Sequence, residues 1–218
     1  MDITGKRWVL DINARFYAFL QLTAVNLPGG VQRRRTYEDE LNMRRVFEEN
    51  DLISAEVQEL RREGVIALHT RSLRYGKLTN GQFVKVAPTL VKRSKKHFHH
   101  LEVCDASLIL GNNGYIFIWE GNLENTENAS AADDDTMMDI GDRPSKKPII
   151  ATLDGRKRVA RVKSAIVALN NAFIAIHPET IIDVYETSIA NNIAVPDMTR
   201  PDIASGLCSQ ARLRREEM

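Results

Sequence analysis

His97, His99 and His100 form the densest set of residues that could act as metal ligands or as bases near neutral pH. Side chains at i and i+2 of a strand share a face, so His97 and His99 are the pair that could grip one ion, yet no cysteine or carboxylate stands at a supporting spacing. Histidines in a basic loop or at an interface fit this pattern better than a metal centre. Asp133-Asp134-Asp135 is a run of carboxylates. Phosphodiester hydrolysis through two metal ions needs carboxylates in fixed positions, and the Asn, Glu, Ala and Ser around this run offer nothing to fix them. Cys104 and Cys208 are too few for a disulfide framework or a CxxC site and read as ordinary thiols. No nucleophile elbow or flanking motif selects a Ser-His-Asp or Cys-His set from the many that 218 residues contain. The expectation is a protein with no catalytic residue, no metal, no cofactor and no small-molecule substrate, and so not an enzyme.

What the side chains can do is bind. Lys plus Arg number 30 and Asp plus Glu 29, a formal charge of +1, so attraction for a polyanion must come from local clusters. Arg33-Arg34-Arg35 followed by Tyr37 is one such cluster, in which cations would gather a single-stranded backbone and an aromatic face would stack a base. A solvated loop, or a contact to an acidic neighbour, is the competing reading. Arg71, Arg74 and Lys77, with Tyr75 interleaved, are a second cluster, for which nucleic-acid contact and interdomain packing compete evenly. Lys92, Arg93, Lys95 and Lys96 make the densest positive stretch; it attracts any polyanion at low salt and is read here as docking an acidic partner subunit. Gly111-Asn112-Asn113-Gly114 either turns a hairpin or contacts a phosphate through its amides. Its flanks, Leu108-Ile109-Leu110 and Tyr115 to Trp119, are strand-like and carry no cation. Asn113-Gly114 is a type I′ signal with φ > 0 at both central residues, so the structural turn is favoured. Trp8, Phe16, Tyr17 and Phe19 are expected in the core rather than as a base platform.

The elements that must position these residues follow from pattern. Apolar residues make up 43% and charged ones 27% of the chain, which suits a packed fold. No long apolar run and no charged n-region with an h-region is present, which predicts an intracellular protein with no membrane partner. Residues 1 to about 120 alternate in short apolar runs. Lys6–Ile12 and Phe16–Leu22 read as strands, stopped by Leu27-Pro28-Gly29-Gly30. A short helix with Leu41, Met43 and Phe47 follows, then a turn at Asn50, where Asn tolerates φ > 0, and a strand Leu52–Val57. Val65–Thr70 is its hairpin partner after Glu63-Gly64. This order suits a five-stranded Greek-key barrel of the oligonucleotide-binding kind with four strands visible and the first missing. From about 121 to 148 the sequence turns acidic and loses apolar periodicity, predicting a disordered insertion. Val159, Val162, Ala165, Ile166, Leu169, Ala172, Phe173 and Ile176 then mark the apolar face of a helix over 155–176, with Arg156, Lys157, Arg158, Arg161 and Lys163 opposite.

The residues then become specific. Val25 to Gly30, Arg33-Arg34-Arg35, Glu38 to Leu41, Asp51 to Val57, His69 to Leu73 and Tyr75 to Leu78 together resemble the S1 domain of a cap subunit of the eukaryotic RNA exosome, of the ribosomal RNA-processing protein four type. The likeness continues through Pro88 to Arg93 and His97-Phe98-His99 into Leu108 to Ile116, which resembles that family's divergent KH domain with its Gly-x-Asn-Gly signature. In an RNA-reading KH domain the Gly-x-x-Gly loop lies between helices; the strand-like flanks here point to a domain repurposed for packing. The resemblance implies an S1 OB-fold domain over 1–78, a KH-like α+β domain over 79–193 carrying the insertion, and a charged C-terminal tail over 194–218, a fold mainly β plus α+β. The family also has an N-terminal domain and a first S1 strand with no counterpart here, so a truncated chain is expected. The resemblance further implies a non-catalytic subunit that stabilises a ring of nuclease-like subunits and lines the RNA path in 3′ to 5′ processing and decay, including rRNA maturation. Its partners would be the ring subunits and single-stranded RNA, in the nucleus, nucleolus and cytoplasm. A free-standing S1/KH module of translation or ribosome maturation is the alternative, and a hydrolytic ribonuclease fragment a weaker third.

Overall fold

The computed structural model describes residues 2–26, 34–60, 64–72, 74–121 and 152–217. Two compact units divide at Thr79 and Asn80. The predicted insertion, with Asp133-Asp134-Asp135, lies outside the described residues apart from Gly121, as do Leu27-Pro28-Gly29-Gly30, Glu63 and Arg33.

The first unit contains β1 (Asp2–Thr4), β2 (Arg7–Leu10), β3 (Ala18–Val25), the short helices α1 (Tyr37–Leu41) and α2 (Met43–Val46), β4 (Ile53–Ser54), β5 (Glu56–Leu60), β6 (Ile66–Thr70) and β7 (Gly76–Lys77). Its five-stranded sheet runs β1-β2-β3-β6-β5, and β4 pairs with β7 separately. Strands β1 to β3 form an antiparallel meander, β3 and β6 run parallel, and β5 returns antiparallel to β6. This is the Greek-key connectivity of an oligonucleotide-binding fold. Where the sequence shows four strands the sheet has five, because Asp2–Thr4 is too short to display an alternation. The predicted strand at 52–57 is broken in two at Ala55, each half pairing with a different partner. One face of the sheet buries Trp8, Leu10, Leu20, Leu22 and Leu68 with Met43 and Phe47 of the helical turn. Trp8 Nε1 donates to Phe47 O at 3.2 Å, and the two rings meet edge to face at 5.4 Å, so the indole is buried with its one polar atom satisfied. Asn50 holds φ 70° at the predicted turn.

The second unit packs an antiparallel sheet, ordered β8 (Gly81–Lys85), β11 (Tyr115–Glu120), β10 (Ala106–Leu110), β9 (Phe98–Leu101), against α3 (Leu153–Asn171), α4 (Pro178–Ala190) and α5 (Pro201–Glu217). Leu108, Ile116 and Ile118 of the sheet meet Val162, Ala165, Ile166 and Leu169 of α3, Ile181 and Val184 of α4, and Leu207 of α5 in one core. Thr152 caps α3, accepting from Gly155 N at 3.0 Å. The Glu120 carboxylate at the end of β11 in turn accepts from Thr152 N at 3.0 Å and Thr152 Oγ1 at 2.7 Å. The last strand and the first helix are thereby tied together on either side of residues 122–151.

Two predictions are corrected here. The helix ends at Asn171, not 176: Phe173 takes φ 56° and is 83% exposed, while Ile176 is buried as the bridge partner of Val91. The segment 194–218, read as a charged tail, is over Pro201–Glu217 a helix that buries Ala204, Leu207, Cys208 and Ala211. Its arginines and glutamates hide that i, i+3, i+4 stripe, which consists of small residues apart from Leu207.

Candidate nucleic-acid interface

Strand register decides which residues share the sheet face opposite the core of the first unit. Arg7 lies across from Gln21 and Val9 from Phe19, Phe19 across from Ala67, and His69 across from Glu56. Directly opposed residues point the same way. The outer face therefore carries Arg7, Phe19, His69 and Glu56 from four strands, with the Arg7 guanidinium 4.4 Å from the centre of the Phe19 ring. His69 Nε2 is 3.9 Å from the Glu56 carboxylate, and its Nδ1 is buried with no hydrogen-bond partner among the described residues. Burial, together with the neighbouring Glu56, pushes the Tyr75 phenol up. Just before β3, Phe16 and Tyr17 are 49% and 63% exposed, with Arg15 5.5 Å over the Phe16 ring. The expectation of core aromatics thus holds for Trp8 and fails for Phe16, Tyr17 and Phe19: β3 starts at Ala18, so Phe16 and Tyr17 precede the alternation, and that alternation buries Ala18 and Leu20 and turns Phe19 to the outer face. A patch of aromatic faces backed by guanidinium groups can stack unpaired bases and neutralise phosphates.

The other end of β3 gathers part of the predicted cationic set. Arg35 donates from Nε to Leu22 O at 3.2 Å and from Nη2 to Val25 O, so its guanidinium is engaged along the strand. Asn26, just after β3, donates from Nδ2 to Arg71 O, which brings Arg71 beside the same strand end. Arg34, Arg71 and Arg74 are exposed, and Tyr37 presents a 72% exposed ring from α1. Lys77 stands apart, paired with Asp51 at 2.8 Å. The structure thus assembles Arg35 and Arg71 at one sheet end and leaves Lys77 in an ion pair.

In the second unit the tetrapeptide turns the β10–β11 hairpin, differently from the predicted type I′ form. Gly114 N donates to Gly111 O at 3.0 Å and Gly111 N to Tyr115 O at 3.0 Å; Gly114 alone of the four has positive φ, at 82°. This is the three-residue hairpin loop closed by a left-handed glycine. Asn113 Oδ1 accepts from Tyr115 N at 3.1 Å, and Gly114 O accepts from Val86 N at 2.8 Å. A Cβ on Gly114 would run into Val86 O. Asn112 is exposed at the tip.

Lys92, Arg93, Lys95 and Lys96 are all exposed. The histidines that follow go separate ways: His97 Nδ1 meets Leu110 O at 3.0 Å, His99 Nε2 meets Lys96 O at 3.0 Å and His100 Nδ1 meets Ser107 Oγ at 3.0 Å. Burial holds His99 below the usual imidazole range. Among the described residues no three His, Cys, Asp or Glu side chains come together as a metal site. Burial pushes the Cys104 and Cys208 thiols up to about 11, which keeps them protonated and unreactive at neutral pH. No helix among the described residues is long and apolar enough to cross a membrane.

Residues 1–59 match the family described as RRP4, S1 domain, and residues 81–122 match the KH domain family. The chain is 39% identical over 213 residues to exosome complex component RRP4 of Bos taurus, covering 98% of this chain and 68% of that protein. It is 39% identical over 200 residues to the Arabidopsis thaliana RRP4 homolog, covering 91% and 62%. The Caenorhabditis elegans homolog is 32% identical over 218 residues, covering 99% and 67%. With an S1 unit followed by a KH unit, and identity at this level running through nearly all its length, the chain belongs to the exosome complex component RRP4 family.

Proposed function

We propose that this protein is a non-catalytic, RNA-binding cap subunit of an exosome complex, acting in 3′ to 5′ RNA processing and decay in the nucleus, nucleolus and cytoplasm. It holds its place through neighbouring subunits and guides single-stranded RNA toward their nuclease sites. The observation that carries the RNA role is the Arg7–Phe19 pair on the outer sheet face, 4.4 Å apart, with Phe16 and Tyr17 exposed in the residues just before β3. Arg34, Arg35, Tyr37, Arg71, Arg74 and Lys77 extend the path, with Lys77 joining only when RNA outcompetes Asp51. Lys92, Arg93, Lys95 and Lys96 dock an acidic subunit, and the Gly111–Gly114 hairpin is a structural turn rather than a phosphate clamp. These assignments rest on family membership together with exposure and charge.

The experiment is affinity purification of the tagged full chain from its own cells, followed by RNA binding and turnover assays on the isolated protein. Exosome subunits should co-purify, and single-stranded RNA should bind but survive incubation with Mg²⁺. Metal-dependent cleavage that persists through purification and disappears on a single Asp or Glu substitution would overturn the non-catalytic reading.

A further inference from the structure

The end of α3 is built in a way that its own stability does not explain. Ile174 N donates to Leu169 O at 3.0 Å and Phe173 N to Asn170 O at 3.1 Å, closing the helix with a left-handed residue of the kind that is usually glycine. Here that residue is Phe173, at φ 56°, and its ring is 83% exposed. A side chain in this conformation is strained, and an exposed ring returns nothing to the fold. Glycine would serve the helix better.

The surroundings of Phe173 are fixed by hydrogen bonds. Ala87 N donates to Asn170 Oδ1 at 3.0 Å, Ile176 N to Leu90 O at 2.7 Å, and Lys92 N to Ile176 O at 3.1 Å. The strained turn is therefore clamped against the segment 87–92, whose Ala87 and Pro88 are exposed, as is Ala175 on the turn itself. Lys92 and Arg93 leave the clamp directly, with Lys95 and Lys96 beyond, and none of the four has an ion pair among the described residues. An exposed aromatic side chain on a fixed turn, small exposed apolar residues on the segments that clamp it and a cationic stretch leaving the clamp supply the ingredients of a protein hot spot. Single-stranded nucleic acid is gripped instead by successive aromatic platforms along a groove.

We infer that Phe173 is the apolar anchor of a protein-docking surface, inserted into a pocket on a partner whose rim is acidic and faces Lys92 and Arg93. This deepens the docking role proposed above for the 92–96 cluster and rests on it. The test uses the tagged full chain in its purified native complex. Phe173→Gly should melt at or above the parent temperature, since it relieves the left-handed strain, yet bind the remainder of the complex roughly tenfold or more weakly, the loss expected of an anchor. Lys92→Glu with Arg93→Glu should weaken binding as well and abolish its sensitivity to salt. With p-benzoylphenylalanine at position 173, ultraviolet irradiation should cross-link to a peptide rich in Asp and Glu.

A Phe173→Gly chain that binds as tightly as the parent overturns the inference, as does one that melts well below it. A cross-link to RNA, or to nothing, overturns it too. Failure of the broader reading looks different: no exosome subunits in the purified complex, whatever position 173 does. A cross-link to an acidic peptide of some other protein would then still support the surface.

Discussion

The Arg35 guanidinium donates to Leu22 O and Val25 O at the end of β3, whereas Arg34 beside it is exposed. Arg35→Ala should cost about 1–3 kcal/mol, because it strands carbonyls that the guanidinium now satisfies. Arg34→Ala should stay within about 0.5 kcal/mol. Urea unfolding of both single variants checks this, and equal stabilities would count against the Arg35 staple. A joint replacement of Arg33, Arg34 and Arg35, which a pure loop reading would expect to be silent, therefore loses stability through Arg35. Gly114 carries a comparable structural weight. Gly114→Ala places a Cβ at φ 82° against Val86 O, and a loss of about 1–2 kcal/mol from the left-handed strain alone is expected. The RNA affinity of the folded protein should be unchanged, as read by thermal melts and anisotropy on one sample. The hairpin at 111–114 was legible from Asn113-Gly114 and its strand-like flanks. Its turn type was not, because the two-residue and three-residue loops share the same Asn-Gly signal and differ in which residues pair, which the register of β10 with β11, Leu110 across from Ile116 and Gly111 bonded to Tyr115, decides.

At the level of elements, the sequence announced those whose periodicity is strong and concealed those whose apolar residues are small or few. The body of α3 was visible in Val159, Val162, Ile166 and Leu169, all of which are buried. Its end was not, since Phe173 and Ile176 continue the spacing while the backbone turns left-handed at Phe173 and reaches back to Val91. Strand β1 was missed because three residues cannot alternate, and α5 because its buried stripe is Ala204, Leu207, Cys208 and Ala211 among charges. That α5 belongs to the core is open to measurement. Leu207, 2% exposed, should cost about 2–5 kcal/mol on Leu207→Ala; a variant that melts like the parent would return 201–217 to the status of a tail. The tie between Glu120 and Thr152 makes a second element-scale prediction. Because that contact joins β11 to α3 directly, deleting Glu124 to Ser145 shortens the connection without touching the cap, and loop length alone lowers the closure cost by only about 1 kcal/mol. A midpoint of thermal unfolding close to the parent's is expected. A large drop would show that the deleted residues pack.

For the molecule as a whole, a formal charge of +1 means that no global field concentrates RNA on the protein, so affinity must be the sum of a few local interactions. The two candidate patches of the first unit lie toward opposite ends of β3 and differ in physics. The proposed patch of Phe16, Tyr17 and Phe19 would work mainly through stacking; the outer-face place of Phe19 emerged only from strand register, and Phe16 and Tyr17 are marked by their exposure. The proposed contacts of the exposed Arg34 and Arg71 would work through charge and were legible as composition. These contributions separate in a salt titration. Replacing Arg34 and Arg71 with Gln should flatten the slope of log affinity against log salt by roughly 0.7 for each phosphate no longer neutralised, because fewer counterions are released on binding. Phe19→Ala should instead weaken binding by about 1–3 kcal/mol, the worth of one stacked base, and leave the slope where it was. The measurement is fluorescence anisotropy on the full chain with a labelled single-stranded RNA across a range of salt, with melts confirming that each variant is folded. If Phe19→Ala changes the slope while the paired Gln variant does not, phosphate is being held at Arg7 beside Phe19, and the charged end of β3 is not on the RNA path.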